Sequence, residues 1–205
     1  MTEPVGVGPH GLPWPDDPRL DPELLEHGDR RNVVDRYRYW RVDAIVADLD
    51  LHRHDFAVAI ENWKHDLNIG TVVRTANAFN AREVVIVGRR RWNRRGAMVT
   101  DRYLHIHHVA DAAGLVDYAA GRYVLIGIDN LPGAVPLESF ELPRNAMLVF
   151  GQEDVGLSVE VRSAAATVCS IAQYGSTRSI NAGVASGIAM HAWIRQYAAS
   201  GTTNS

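Results

Sequence analysis

The sequence predicts an α/β fold built on a mostly parallel sheet, and three observations support this prediction. Apolar runs of strand length alternate with segments of helical periodicity along most of the chain. The predicted strands are almost continuously apolar, which is typical of strands that are buried on both faces. Only short turns separate the strands from the helices. This is expected when each helix returns the chain to the end of the sheet where the next parallel strand begins.

The predicted elements follow one another in a regular order. The strands are FAVAIEN (56–62), EVVIVG (83–88), YVLIGID (123–129), AMLVFG (146–151) and TVCSIA (167–172). The helices are IGTVVRTANAFN (69–80), DAAGLVDYAAG (111–121), LSVEVRSAA (157–165) and NAGVASGIAMHAWIRQY (181–197). In the first helix Ile69, Val72, Val73 and Ala76 recur at helical spacing, which predicts one buried face.

The chain divides into four predicted segments. Six of the nine prolines lie in the first 22 residues, so residues 1–23 are expected to form an extended arm. Residues 24–51 read as a charged helical extension, residues 52–198 as the main domain, and residues 199–205 as a flexible tail. The extension contains RRNVVDRYRYWR, where Arg36 and Arg38 belong either to a solvated helix face or to a nucleic-acid contact.

Composition limits the class of protein. With 205 residues, 46% hydrophobic content and a net charge of -3, the chain can form one globular domain with a sizeable core. Its single cysteine, Cys169, lies in an apolar run and is expected in the core, so a reducing compartment is the default. The chain shows no signal peptide and no apolar run that could cross a bilayer, which favours the cytoplasm.

Histidines occur in two clusters, HRH at 52–54 and HIHH at 105–108. Neither cluster has the accompanying cysteine or carboxylate pattern of a zinc site. We therefore expect no metal site.

In an open parallel sheet the ligand lies beyond the carboxyl ends of the strands. The stretch GQEDVGLS (151–158) follows a predicted strand at once, but it lacks the features of a phosphate loop, a nucleophile elbow or a dinucleotide fingerprint. Nucleoside triphosphates and nicotinamide cofactors are therefore disfavoured.

Two further stretches contain polar groups at helix starts. In NWKHDLNIGTVVRTANAF (62–79), Asn68 is a predicted N-cap, and Arg74 is placed either to be solvated or to hold a phosphate. In SIAQYGSTRSINAGVASGIAMHAW (170–193), Ser179 and Asn181 can cap the last helix or bind a ligand. The small residues of that helix predict a close packing contact.

Together, NIGTVVRTANAF, LVFGQEDVGLS and SIAQYGSTRSINAGVASGIA resemble the three motifs of the SPOUT superfamily of methyltransferases, in its TrmH/SpoU branch of RNA ribose 2'-O-methyltransferases. The resemblance spans roughly residues 56–193. It implies a deep trefoil knot in the C-terminal third, a homodimer, bound S-adenosylmethionine, and transfer RNA or ribosomal RNA as substrate. The third motif departs from the family in AQYG, where a proline-containing turn is common, which bears on cofactor affinity.

The resemblance also implies roles for individual residues. The catalytic positions would be Asn68, Arg74, Glu153, Ser179 and Asn181. The cofactor positions would be Ile128, Asp129, Gly151, Ile171, Gln173, Gly175, Ser179 and Ile180. Since an arginine with a pKa above ~12 is a poor base near neutral pH, we interpret Arg74 as a clamp for a phosphate or an oxyanion. Gly175 and the glycines of the last helix are expected to let the knot close.

A basic cluster, RRRWNRR, follows the second predicted strand. Its predicted RNA contacts are Arg89, Arg90, Arg91, Trp92, Arg94 and Arg95. Arginines can bind phosphates and a tryptophan can stack on an unpaired base, but the acidic net charge requires such a footprint to be local and salt-sensitive. Two alternatives stay open at this point: a base N-methyltransferase of the same fold, and a catalytically silent RNA-binding knot protein.

Overall fold

The computed structural model describes residues 6–61, 66–88, 92–152 and 155–198. The chain divides into two compact units, one ending at His52 and the other beginning at Arg53. The predicted positions Glu153, Arg89, Arg90 and Arg91 lie outside the described residues.

Residues 6–52 of the N-terminal unit contain two short helices, α1 (Pro22–His27) and α2 (Val42–Asp50), with a 3-10 turn, Asp35–Tyr37, between them. The proline-rich segment pairs with this helical part through short antiparallel bridges, Val7 with Asp29 and Leu20 with Trp40. Asp29 is fully buried, and it accepts hydrogen bonds of 2.9 and 2.7 Å from the guanidinium of Arg31. Burial raises the pKa of Asp29, but the hydrogen bonds from Arg31 and from the backbone N–H of Tyr39 together outweigh this effect, so the pKa is lowered overall.

The second unit contains a parallel sheet that has seven strands within the described residues, in the order β3-β2-β1-β6-β4-β7-β5. The strands are β1 (Ala57–Glu61), β2 (Val84–Val87), β3 (Ile106–Val109), β4 (Val124–Ile128), β5 (Val135–Pro136), β6 (Ala146–Phe150) and β7 (Thr167–Ser170). The predicted α/β class and all five predicted strands are confirmed. The two additional strands, β3 and β5, form the two edges of the sheet.

All four predicted helices of this unit are present: α3 (Asp66–Ala78), α4 (Ala112–Ala119), α5 (Val159–Ala164) and α6 (Ala182–Tyr197). Two 3-10 turns, Arg94–Ala97 and Thr100–Tyr103, lie between β2 and β3. The predicted apolar face of α3 is confirmed, because Ile69, Val72, Val73 and Ala76 are buried. The prediction that Asn68 is the N-cap is wrong: α3 begins at Asp66, so Asn68 lies inside the first turn.

The sheet separates two apolar clusters. One contains Phe56, Val58 and Ile60 with residues of α3 and α6, and the other contains Ala57 and Ala59 with residues of α4 and α5. Alternate residues of β1 therefore point to opposite faces, as the period of a strand requires. Cys169 belongs to the first cluster, as predicted, and its burial raises the pKa of the thiol to about 11.

At the amino ends of the strands a buried carboxylate ties several elements together. Glu83 Oε1 accepts hydrogen bonds from the hydroxyls of Tyr118 and Tyr123, each at 2.9 Å, and from the guanidinium of Arg122 at 3.0 Å. Burial and the bond to Glu83 both raise the pKa of Tyr123. This cluster links β2, α4 and β4 at the amino ends of the strands, away from their carboxyl ends.

Among the described residues, none of the helices combines the length and apolar character that a membrane span requires. The acidic, histidine and cysteine side chains in the same part of the chain form no group of three that could hold a metal ion.

Candidate functional site

A cleft of about 710 Å³ lies beyond the carboxyl ends of β4, β6 and β7. Three loops and the start of α6 form its walls, with Asn68 of α3 at one side. The lining residues are Asn68, Ile128, Asp129, Asn130, Phe150, Gly151, Gln152, Gly156, Ile171, Gln173, Arg178, Ser179, Ile180, Asn181, Ala182 and Ala185.

Most of the predicted catalytic and cofactor residues meet at this cleft. The predicted cofactor positions found in its lining are Ile128, Asp129, Gly151, Ile171, Gln173, Ser179 and Ile180, and the predicted catalytic positions found there are Asn68, Ser179 and Asn181. Two described residues lie elsewhere. Arg74 is exposed on α3, and Gly175 is in an exposed turn outside the lining.

The described atoms give no packing reason for glycine at position 175, and the role predicted for Gly175 in closing a knot stays a prediction. A Cβ atom built there would meet none of the described atoms within 4 Å. Gly183, in contrast, confirms close packing of the last helix: its Cβ would lie 3.2 Å from Cγ2 of Thr71, so α6 approaches α3 closely at this point.

Asn181 joins α6 to α3 at the mouth of the cleft. Its Oδ1 accepts a hydrogen bond of 3.2 Å from the backbone N–H of Val184, so it is the N-cap of α6, as predicted. Its Nδ2 donates a hydrogen bond of 3.2 Å to Oδ1 of Asn68. Both groups of the amide are thereby engaged, which fixes two predicted catalytic side chains against each other.

The loop after β6 folds back on itself to form one wall. Gln152 and Gly156 pair as an antiparallel bridge, with hydrogen bonds of 2.9 and 2.8 Å. A Cβ at Gly151 would overlap the backbone of Gly156 and Leu157, so the turn requires glycine at position 151. Gly156 has a φ of +73°, which favours glycine as well.

Two carboxylates hold the far end of this loop. Asp129, after β4, accepts a hydrogen bond of 3.1 Å from the backbone N–H of Leu157. Glu61, the last residue of β1, accepts one of 2.9 Å from the N–H of Ser158. Glu61 is 98% buried, since its exposed fraction is 2%. Our sequence reasoning missed Glu61, although a single acid at the end of an apolar strand was the available signal.

The floor of the cleft is apolar and its rim is polar. Phe150, Ile128, Ile171 and Ile180 supply apolar surface, while Asn130 and Arg178 are among the polar groups that sequence reasoning missed. Asn130 Nδ2 donates to the carbonyl oxygen of Arg178 at 3.5 Å, so the loop after β4 contacts the loop after β7. Asn130 could have been found because it follows a predicted strand, and Arg178 because it adjoins a predicted cofactor residue.

The predicted RNA contacts of the basic cluster have mixed environments. Trp92 is half-buried against the core, and the guanidinium of Arg94 lies 5.9 Å from its ring centre. Arg94 also lies 3.4 Å from Asp101, while Arg95 is exposed.

In the N-terminal unit both predicted RNA contacts have partners within that unit. Arg36 is 3.6 Å from Asp48 and stacks on Tyr37, at 4.5 Å from the ring centre. Arg38 donates to the carbonyl oxygen of Arg31 at 2.7 Å and is 3.4 Å from Asp35. The arginines of this segment thus contribute to the local structure of their own unit.

A buried parallel sheet with a cleft of apolar and polar residues beyond its strand ends is the arrangement of α/β proteins that bind a small organic ligand. Comparison with known families identifies the family within this class. The chain belongs to the SpoU rRNA Methylase family, whose model matches residues 55–191. The resemblance of the three motifs to the TrmH/SpoU branch is therefore confirmed.

Individual proteins agree with this assignment. The chain is 27% identical to an uncharacterized tRNA/rRNA methyltransferase of Mycobacterium ulcerans, over 96% of this chain and 66% of the relative. It is 24% identical to the tRNA (guanosine(18)-2'-O)-methyltransferase of Borreliella burgdorferi, over 70% and 67% of the two chains. The crystal structure of the SpoU methyltransferase AviRb of Streptomyces viridochromogenes, in complex with AdoMet, has a TM-score of 0.63 and 27% identity, over 73% of this chain and 60% of that chain.

Proposed function

We propose that this protein transfers a methyl group from S-adenosylmethionine to a ribose 2'-hydroxyl of transfer or ribosomal RNA, in the cytoplasm. The observation that carries the proposal is the cleft beyond β4, β6 and β7 in a member of the SpoU family. Its volume of about 710 Å³ lies within the range typical of small-molecule sites.

The residues of the cleft fit S-adenosylmethionine. Gly151 lines the cleft, and the loop can make its tight turn here only because position 151 carries no side chain. The apolar Ile128, Ile171 and Ile180 would contact the adenine, and the polar Asp129 and Gln173 would face its hydrogen-bonding groups. When bound, the cofactor supplies an electrophilic methyl group on its sulfonium.

The protein must align the ribose hydroxyl with that methyl group and help it to lose a proton. Asn68, Ser179 and Asn181, which line the cleft, would hold the acceptor nucleotide, and Glu153 would organise the loop after β6. Arg74 is exposed on α3, where its guanidinium can bind a substrate phosphate bidentately. We assign Arg74 the role of a clamp, and the proton leaves to a substrate phosphate or to water.

RNA would bind through local basic surface. Arg95 is exposed and Trp92 is half-buried, so a phosphate contact and a partial stacking surface lie close together in sequence. Arg89, Arg90 and Arg91 complete the proposed footprint. Because the net charge is -3, binding would depend on these few contacts and would weaken steeply as salt is added.

The knot and the homodimer are part of the same proposal. The knot rests on membership of the SpoU family; within the described residues, the loop after β7 contacts the loop after β4 through Asn130 and Arg178, as expected for neighbouring strands. Val184 and Ile188, one turn apart on α6, are 55% and 41% exposed, which supports an apolar surface for a second copy. Light scattering during size-exclusion chromatography would test the dimer.

Calorimetric titration with S-adenosylmethionine is the first experiment, with S-adenosylhomocysteine as the control. We expect binding at one site per subunit. Transfer of labelled methyl groups to RNA transcripts, followed by nuclease digestion, would then identify the acceptor. A 2'-O-methylated nucleotide supports the proposal, a methylated base supports the base methyltransferase, and RNA binding without transfer supports the silent RNA-binding protein.

A further inference from the structure

Two neighbouring strands hold the loop after β6 from opposite sides. In the sheet, β6 lies between β1 and β4. Glu61 ends β1 and Asp129 follows β4, and their carboxylates accept hydrogen bonds from consecutive backbone N–H groups, those of Ser158 and Leu157. The two bonds measure 2.9 Å for Glu61 and 3.1 Å for Asp129.

The two carboxylates differ in their access to the cleft. Asp129 lines the cleft and can contact a ligand directly, whereas Glu61 is outside the lining and is 2% exposed. A buried carboxylate is costly unless hydrogen bonds stabilise its charge, so its contact with Ser158 is a strong constraint on the backbone. The constrained residue, Ser158, comes two positions after Gly156, which is part of the cleft wall.

We infer that Glu61 is a positioning residue for the cofactor cleft, acting through the backbone N–H of Ser158. It holds the end of the loop 151–158 so that Gly151, Gln152 and Gly156 keep their places in the wall. This inference rests on the proposed function, because it assigns the loop's position a role in binding S-adenosylmethionine.

Three substitutions in the 205-residue chain test the inference. Glu61→Leu removes the hydrogen-bond acceptor, and Glu61→Gln keeps an acceptor oxygen at nearly the same place. Glu61→Asp keeps the carboxylate on a side chain that is shorter by one methylene. Glu83→Leu is the matched control. Glu83 is also buried, with an exposed fraction of 5%, but it lies at the amino ends of the strands, away from the cleft. Each variant is measured for its Kd for S-adenosylmethionine, its Tm, and the hydrogen-exchange rates of the Leu157 and Ser158 amides.

We expect Glu61→Leu to raise the Kd about tenfold or more, as the loss of a hydrogen bond to a charged acceptor predicts. Glu61→Gln should stay within about threefold of the wild type, since it can still accept the bond. The Ser158 amide should exchange faster in Glu61→Leu and at the wild-type rate in Glu83→Leu. Glu83→Leu should lower the Tm and leave the Kd unchanged.

The inference is overturned if folded Glu61→Leu binds the cofactor as the wild type does, or if Glu83→Leu weakens binding equally at an equal loss of Tm. Should Glu61→Leu fail to fold, Glu61→Asp decides: weaker binding with faster Ser158 exchange supports the inference, and wild-type values overturn it. If the wild type itself binds no cofactor, the proposed function fails. The amide exchange rates then show separately whether Glu61 holds the loop.

Discussion

Gly151 determines whether the loop after β6 can close. The turn leaves no room for a side chain, because a Cβ would overlap the backbone of Gly156 and Leu157. We predict that Gly151→Ala lowers the free energy of unfolding by about 1 to 3 kcal/mol, the usual cost of overpacking, and abolishes cofactor binding. Urea unfolding and calorimetry measure the two effects.

Gly175→Ala is the control for this substitution. Gly175 lies in the neighbouring loop of the second unit, but a Cβ there would meet open space among the described atoms, and its φ is not in the left-handed region. The variant should change stability by no more than about 1 kcal/mol in either direction. Equal effects of the two substitutions would contradict the steric explanation.

Arg74 allows a test of the proposed clamp. A lysine keeps the positive charge but cannot form the planar, bidentate contact of a guanidinium. We therefore expect Arg74→Lys to lower kcat/KM for RNA by about tenfold or more, with cofactor affinity unchanged. The pH-rate profile of the variant is the measurement, and near-normal activity at every pH would exclude a bidentate clamp.

His54 couples stability to pH. Its ring lies 5.2 Å from that of Trp193, and burial lowers the pKa of the imidazole below its ordinary value of 6.5, an effect that Asp55 partly opposes. As the pH falls, the His54 imidazole is therefore protonated at a higher pH in the unfolded chain than in the folded protein. The contribution of neutral His54 to stability is complete above pH 6.5 and is lost between 6.5 and the lower folded-state pKa.

Urea unfolding at about pH 7.5 and about pH 5.5 measures this dependence. His54→Gln, which is neutral at both values, should lose less stability on acidification than the wild type. His52→Gln removes an exposed histidine and should behave as the wild type does. An unchanged pH dependence in His54→Gln would show that this histidine does not contribute.

At the scale of elements, Asn181 links the start of α6 to α3. Asn181→Ala removes the N-cap and the bond to Asn68, so we expect a loss of about 1 kcal/mol in the free energy of unfolding. Asn181→Asp keeps an acceptor for the N–H of Val184 but not the donor to Asn68, so its stability should be near that of the wild type. Methyl transfer should fall in both variants.

Chemical unfolding together with a methyl-transfer assay separates the two roles of Asn181. A loss of activity in Asn181→Asp without a loss of stability would support the positioning of Asn68. Equal stability of the wild type and Asn181→Ala would mean that the cap contributes nothing to the folded state.

The elements that sequence reasoning missed are the edge strands. The run IHHV of β3 contains two histidines and is partly exposed, and β5 contains only two residues. An edge strand is not covered as a central strand is, so it need not be continuously apolar. The start of α3 was misplaced for a different reason: asparagine favours an N-cap, but here the amide of Asn68 bonds to Asn181, which is far away in sequence.

At the scale of the whole molecule, the second unit holds all of the cleft. Both apolar clusters and every lining residue lie after His52. We predict that a fragment of residues 53–205 folds and binds S-adenosylmethionine within about threefold of the full chain's affinity, because a domain with its own core can fold alone. Circular dichroism and calorimetry check this. A fragment that folds without binding the cofactor would show that the first unit is needed for the site.

The sequence by itself determined the α/β class, five central strands, four helices and the apolar face of α3, because burial on a regular element imposes a short-range pattern on the chain. The three motifs also indicated most of the residues that line the cleft, since loops after parallel strands meet at one edge of the sheet.

Only the tertiary structure decided how these loops are held. The bond from Asn181 to Asn68 joins residues that are 113 positions apart, and the bond from Ser158 to Glu61 joins residues that are 97 apart. Such contacts leave no periodic signal, because a side chain that binds a distant backbone group can occur at any place in the sequence. The same holds for Gly151 and Gly175: both lie in loops that follow predicted strands, but only the folded backbone shows that a side chain has no room at position 151.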